Sequence, residues 1–469
     1  MLSLILTSIV LNWYIQTVQS HEHLPKHRCI HDTLNIPIRG SLDTITHINY
    51  DDNAGRILDK TTTNLRITPV YQFQSETTLT TKIKEEYMPA AICLWQHALS
   101  AKNPIQDVLL FDRRCTSHWQ DPDRGNPCAS MSNEPDTCGD EATLDDAWMK
   151  ELTACAKYTS AGVKSECTTK PKGTGFINTD FVIIVKAIET ETCIKSPSTM
   201  GYAHACKFDQ YDRPLMGFIN FCPKAMTATE SGTASFTAMH ELAHALGFSA
   251  NTWPRMRKED GKTPRTIRDE NDQPPIVENT KCSNGETPAG QRPSASTTLK
   301  VSESRGNPNS FTLVTPSVRD AARKHFGCNT AEGVELENQP TGGGCWGSHW
   351  DERILHNDLM APIGGESAVL SSITLAAFAD MGFYNVNIDL SSRLEFGNNL
   401  GCTFITDPCI SKDGVALFKK KGYFCNEESE TSCTPDRKYK AKCNVVEYNM
   451  AITPTWFQHF GTDSKKGGR

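Results

Sequence analysis

No C-x-x-C pair occurs in this chain, although it carries 18 cysteines. Zinc ribbons and thioredoxin-like redox sites both use that spacing, so both are poorly supported. No N-x-[ST] sequon is present, so N-glycosylation is not expected. A basic surplus is also missing: the formal net charge is −7, and nucleic acid is not an expected partner. Beyond the N-terminus no run is long or apolar enough to cross a bilayer. Residues 1–20, MLSLILTSIVLNWYIQTVQS, lack Lys and Arg. They otherwise follow a secretory signal peptide, with an apolar run and a polar end at Val18-Gln19-Ser20. The rival reading is an N-terminal membrane anchor, for which the run is short. In a secreted chain the cysteines are most simply disulfides of an oxidising compartment, against the alternative of thiolate metal sites. A length of 469 residues allows two or three domains and an ample core.

What is present centres on residues 237–248, TAMHELAHALGF. His240, Glu241 and His244 form H-E-x-x-H. Residues four apart share one face of a helix, so both imidazoles can meet one metal ion, with the Glu241 carboxylate beside it as a general base. Phe236, Met239, Leu242, Ala243 and Leu246 are apolar and suit the other faces. Gly247 stands where the helix needs a left-handed end. The plain alternative is a buried amphipathic helix that happens to carry two histidines. The contiguous form of the motif, H-E-x-x-H-x-x-G-x-x-H, would place a third His at 250, which is Ala250 here. A third ligand must come from further along or be absent. Residues 342–362, GGGCWGSHWDERILHNDLMAP, offer His349 and His356, followed by a turn at Met360 that could sit beneath a metal. An ordinary surface loop is the alternative for this stretch.

Taken in order, residues 21–58 are polar and begin HEHLPKHRCIHD. They read as a flexible tail, or as a propeptide whose Cys29 thiolate caps an open metal position. Residues 65–75 read as a strand and 85–99 as a helix. Residues 112–175 read as a loop-rich region stapled by cysteines. Residues 181–187, rich in β-branched side chains, are the strongest strand, with a second at 216–221. Strands followed by a helix predict an α+β half with a sheet edge able to pair with extended peptide. Residues 251–310 are rich in Lys, Arg, Pro, Ser, Thr and Asn and read as a long, partly disordered surface insertion. Helices are expected in 317–327 and 371–381, the latter ended by Gly382, and a Cys-rich stretch after 390.

These segments together resemble the leishmanolysin family of metzincin zinc endopeptidases, which includes the invadolysin-like proteins of animals. The similar stretches are HRCIHD (27–32), GFINTDFV (175–182), GFIN (217–220), HELAHALGF, FGCNT (326–330), GSHW (347–350), DLMAP (358–362), CTFITDPC (402–409) and FCNEESETSC (424–433). The resemblance implies one Zn²⁺ per chain held by His240, His244 and His349, with GSHW selecting His349 over His356. It makes Glu241 the catalytic general base, Met360 the Met-turn residue and Cys29 an inhibitory cysteine switch. The implied fold class is α+β: a metzincin-like catalytic domain with a twisted sheet and zinc helix, a mostly helical or loop central region, and a partial disulfide-rich C-terminal region. The implied boundaries are signal peptide 1–20, propeptide 21–58, N-terminal catalytic subdomain 59–250, surface insertion 251–310, central subdomain 311–395 and partial Cys-rich region 396–469.

The implied function is a secreted zinc metalloendopeptidase, made as a zymogen, that hydrolyses internal peptide bonds of proteins. Glu241 would take a proton from zinc-activated water and pass it to the leaving amine. Expected partners are protein and peptide substrates, with cell-surface or extracellular-matrix proteins also allowed, and the chain is expected to be a monomer. Family members continue beyond the point where this chain stops. An odd number of cysteines, once Cys29 is set aside, agrees with a missing C-terminal part. The end lacks the apolar tail of a GPI signal, so that form of membrane attachment is not expected. Two rival classes are a non-catalytic cell-adhesion or binding protein on the same scaffold, and an inactive truncated chain.

Overall fold

Residues 181–185, FVIIV, are all buried, and the strand Phe181–Lys186 pairs in parallel on both sides. A parallel strand covered on both faces reads as an unbroken apolar run because alternate side chains serve different cores. Phe181, Ile183 and Val185 join the larger core with the helices. Val182 and Ile184 join a second core with Leu109, Phe111, Leu144 and Met149. In this computed structural model the described residues are 27–28, 45–50 and 64–468, except 140–141, 230, 278–281, 283–289, 292, 295, 306, 339–344, 365–367, 412, 454 and 461–462. The signal-peptide stretch and Cys29 lie outside the described residues.

The sheet runs in the order Ile45–Thr46, Gly201–Asp209, Pro214–Phe221, Phe181–Lys186, Ile67–Tyr71. Gly201–Asp209 is antiparallel to Pro214–Phe221, and the other pairings are parallel. Pro69 is tolerated because its strand is the last in the sheet, where a missing N–H costs no ladder bond. The strand expected at 216–221 extends back to Pro214, and Gly201–Asp209 is an additional strand.

One face of the sheet carries the helices Met88–Ala98 and Ser231–Ala245, joined by a hydrogen bond from Trp95 Nε1 to the Met239 carbonyl at 2.9 Å. The helical stretch expected from 85 starts earlier, at Thr78–Lys82, because Thr77 and Thr80 form a capping box. A π-helical turn, Ile83–Tyr87, links the two parts.

The loop-rich region is stapled by Cys115–Cys128 and Cys155–Cys167 and tied to the sheet by Cys138–Cys206. Four further bridges are Cys193–Cys222, Cys282–Cys345, Cys328–Cys402 and Cys425–Cys443. Among the described residues Cys93, Cys409 and Cys433 carry no bridge.

The described part of 251–310 differs from the expected surface insertion. Trp253, Met256 and Leu299 sit in the main core. Two of its arginines are buried rather than solvated, with the Arg257 and Arg268 guanidinium groups both on the Asp212 carboxylate. A few apolar anchors and paired arginines are enough to pack a segment whose average composition looks disordered. The central region also holds a three-stranded antiparallel sheet, Leu299–Ser304, Asn307–Leu313 and Val334–Glu335, beside the helices Pro316–Phe326 and Ser372–Asp380. Within 311–395 the described residues are mostly helix and loop, as expected, and the strands there are short.

Candidate metal centre

The helix Ser231–Ala245 carries His240, Glu241 and His244, all buried. It ends in a Schellman motif. Phe248 N–H donates to the Ala243 carbonyl, and Gly247 N–H to that of His244. Gly247 has φ +118°, which a side chain would strain. This reversal turns the Phe248 carbonyl back to within 2.7 Å of His244 Nδ1. The helix end thus fixes one of its own histidines.

His240 is held from elsewhere: its Nδ1 lies 2.6 Å from the Leu359 carbonyl oxygen. Leu359 precedes the buried Met360 in the expected turn. Asp358 shapes that turn by accepting hydrogen bonds from Met360 N–H and the Thr374 hydroxyl, each at 2.7 Å. Trp350 donates from its indole to the Thr374 hydroxyl at 2.8 Å and from its backbone N–H to the Met360 carbonyl at 3.0 Å. Trp350 follows His349, so the turn and the third histidine are built as one unit. Burial pushes the Asp358 carboxyl up to about 6, despite hydrogen bonds from Ser371, Met360 and Thr374 that favour its charged form.

His349 arrives on an extended segment paired with 335–337. Glu337 N–H donates to the His349 carbonyl, Gly347 N–H to that of Glu337, and Asp351 N–H to that of Glu335. The Cys282–Cys345 bridge anchors the segment just upstream. His349 Nδ1 lies 3.0 Å from Glu337 Oε2.

All three Nδ1 atoms face oxygens that only accept, provided Glu337 is ionised. Each Nδ1 then carries the ring proton, and each Nε2 presents a lone pair. His244 Nε2 is 3.0 Å from His240 Nε2 and 3.2 Å from His349 Nε2, although His244 and His349 are 105 residues apart in sequence. Three lone pairs turned on one point repel unless a cation sits among them. Tetrahedral zinc with Zn–N of about 2.0–2.1 Å sets neighbouring ligands roughly 3.3 Å apart. The donor set therefore fits zinc, and these three residues form a cluster able to hold a metal ion.

Glu241 follows the first ligand on the helix and is fully buried. A Cβ placed on Gly201 would lie 3.5 Å from Glu241 Cγ, so the strand Gly201–Asp209 starts against this side chain. His356 stays outside the cluster. Its side chain is 43% exposed and pairs with Glu352 at 2.8 Å. The sequence reading did not find Glu337, Asp358 or Gly201. Asp358 lies within the quoted DLMAP stretch, whereas the roles of Glu337 and Gly201 depend on pairings between distant segments.

The family model described as leishmanolysin matches residues 151–469. A leishmanolysin-like peptidase of Drosophila melanogaster is 31% identical over 461 residues, covering 94% of this chain and 65% of that protein. A ciliated left-right organizer metallopeptidase of Mus musculus is 29% identical over 77% of this chain and 49% of its own length. A leishmanolysin of Leishmania tropica is 27% identical over 63% of this chain and 37% of its own length. The chain thus spans just under two thirds of the fly relative and less of the other two. With a leishmanolysin model matched over most of its length, this chain belongs to the leishmanolysin family.

Proposed function

We propose that this chain is a secreted zinc metalloendopeptidase made as a zymogen. The observation that carries the reading is the convergence of His240, His244 and His349 through Nε2, with Glu241 on the same helix. Membership of the leishmanolysin family, whose relatives are named peptidase and metallopeptidase, supports it. When bound, zinc supplies Lewis acidity and lowers the pKa of water toward neutrality. Glu241 accepts the proton of the attacking water and delivers it to the leaving amine. Its burial beside the start of Gly201–Asp209 suits a substrate strand laid along that part of the sheet. Met360, buried in the turn that holds His240, acts as the Met-turn residue.

Two pairings support the zymogen part of the reading. His27–Arg28, immediately before Cys29, pairs antiparallel with Ile363–Gly364, just past the Met360 turn. Ile45–Thr46 joins the sheet beside Phe208 and Asp209, and Tyr50 donates its hydroxyl proton to Asp209 at 2.6 Å. The pro-region thus pairs with the segment after the turn and with the sheet of the catalytic part. Seven disulfides suit an oxidising compartment. Among the described residues no helix is long and apolar enough to cross a membrane.

A non-catalytic adhesion protein would have no need of Glu241, which is present and buried here. The test is hydrolysis of a casein-type substrate by processed protein, with and without a zinc chelator. Cleavage abolished by the chelator and restored by zinc is expected. Cleavage that ignores the chelator, or folded and processed protein with no cleavage at all, contradicts the reading.

A further inference from the structure

Two of the three clustered histidines rest their Nδ1 atoms on main-chain carbonyls, those of Leu359 and Phe248. His349 Nδ1 instead meets a carboxylate, Glu337 Oε2, at 3.0 Å. We infer that Glu337 is a positioning residue of the metal centre, fixing the ring plane and tautomer of His349. This inference rests on reading the three histidines as a zinc site.

His240 and His244 have their spacing set by helix geometry. His349 has no such support, because it stands on an extended segment 105 residues beyond His244. The backbone supplies a substitute. Glu337 N–H donates to the His349 carbonyl, in a short antiparallel ladder that also pairs Leu336 with Trp350. Residues directly opposite in such a ladder project to the same side and interact. The register therefore delivers the carboxylate to Nδ1. The Glu337 side chain is only 17% exposed, so the bond is largely shielded from water. A carboxylate acceptor makes a charge-assisted hydrogen bond and raises the basicity of the ring's other nitrogen. Nε2 of His349, the atom turned toward His244, is the one that gains. Glu335, two residues earlier, is different: its carboxylate is taken by Arg305 and the Ser304 hydroxyl, and it serves the fold.

The experiment measures zinc affinity of the folded full chain by competition against a chromogenic chelator. It is paired with the visible absorption spectrum of the Co²⁺-substituted protein and with a melting curve. The variants are Glu337→Gln, Glu337→Ala, Glu335→Gln and Glu241→Ala. Removing a partner of this kind costs on the order of 10–100-fold in metal affinity. Glu337→Ala is expected in that range. Glu337→Gln, which keeps an acceptor oxygen but no charge, should fall between it and wild type. The Co²⁺ spectrum should shift in both. Glu241→Ala should bind zinc like wild type, and Glu335→Gln should lower the melting temperature while leaving the affinity of the folded form unchanged. If Glu337→Ala does not fold, the nearly isosteric Glu337→Gln carries the test. Wild-type affinity and spectrum in the Glu337 variants would overturn the inference while leaving the zinc site standing. Equal weakening by Glu335→Gln would also overturn it, because the effect would then belong to the segment as a whole. Absence of zinc binding by wild type would bring down the zinc reading itself, and this inference with it.

Discussion

The backbone N–H of Ala250 donates to the Ser348 hydroxyl at 2.8 Å, across 98 positions of sequence. Ala250 occupies the place where a contiguous motif would supply its third histidine. Ser348 is the residue before His349. The turn after the helix therefore docks directly onto the segment that carries His349, which in the proposed zinc site takes the role that position 250 leaves open. Trp253 strengthens the junction by donating from its indole to the Gly347 carbonyl at 3.1 Å.

Glu241 is buried on the helix that also carries His240 and His244. Under the proposed mechanism, replacing it with Ala removes the proton carrier and keeps the three ligands. Activity on a protein substrate should fall by about 10²–10⁴-fold, with zinc content unchanged. Activity near wild type would show that another group moves the proton.

Gly247 adopts φ +118° so that Phe248 can turn back onto His244 Nδ1. Gly247→Ala should destabilise the fold by roughly 1–3 kcal/mol, the usual cost of a strained backbone position. It should also weaken zinc binding, because the His244 ring loses its fixed partner. Thermal melting and chelator competition read the two effects. A stable variant with undiminished zinc affinity contradicts the proposed coupling.

Asp358 gives a pH dependence with a definite sign. Burial raises its carboxyl from 3.8 to about 6, so the folded protein binds this proton more tightly than the unfolded chain does. Its contribution to stability is full below 3.8 and is lost as pH rises through about 6. Asp358→Asn cannot ionise, and its amide oxygen can still accept from Met360 N–H and the Thr374 hydroxyl. Chemical denaturation across that pH range should therefore show the variant gaining on wild type as pH rises. A constant difference between the two would remove Asp358 as the source.

Cys29 lies outside the described residues, but His27–Arg28, just before it, pairs with Ile363–Gly364, a few residues past Met360. If its thiolate occupies the open metal position, Cys29→Ser should raise the activity of the unprocessed chain toward that of the processed one. Unchanged, low activity in the unprocessed variant would mean that inhibition does not depend on this thiol.

The helix with His240, Glu241 and His244 is legible in the sequence because its chemistry is local: a four-residue spacing, an apolar surround and a glycine at its end. The strand Phe181–Lys186 is equally plain, since both of its faces are buried. Gly201–Asp209 is not. Its sequence GYAHACKFD contains no β-branched residue, and nearly all of it is buried, so no alternation marks it as a strand. The packing of 251–310 is hidden for a related reason. Its buried arginines look like surface residues until Asp212, from another segment, is placed against them. Spacing alone leaves His349 and His356 as equal candidates, and the GSHW resemblance chooses between them. Glu337 has no sequence signal, because its pairing with His349 exists only once two extended segments find their register.

Zinc content of the purified full chain, determined by metal analysis for wild type, His349→Ala and His356→Ala, tests the central claim most directly. One zinc per chain is expected in wild type and in His356→Ala, with loss of tightly bound zinc in folded His349→Ala. No zinc in folded wild type, or equal zinc in the His349→Ala protein, would contradict that claim.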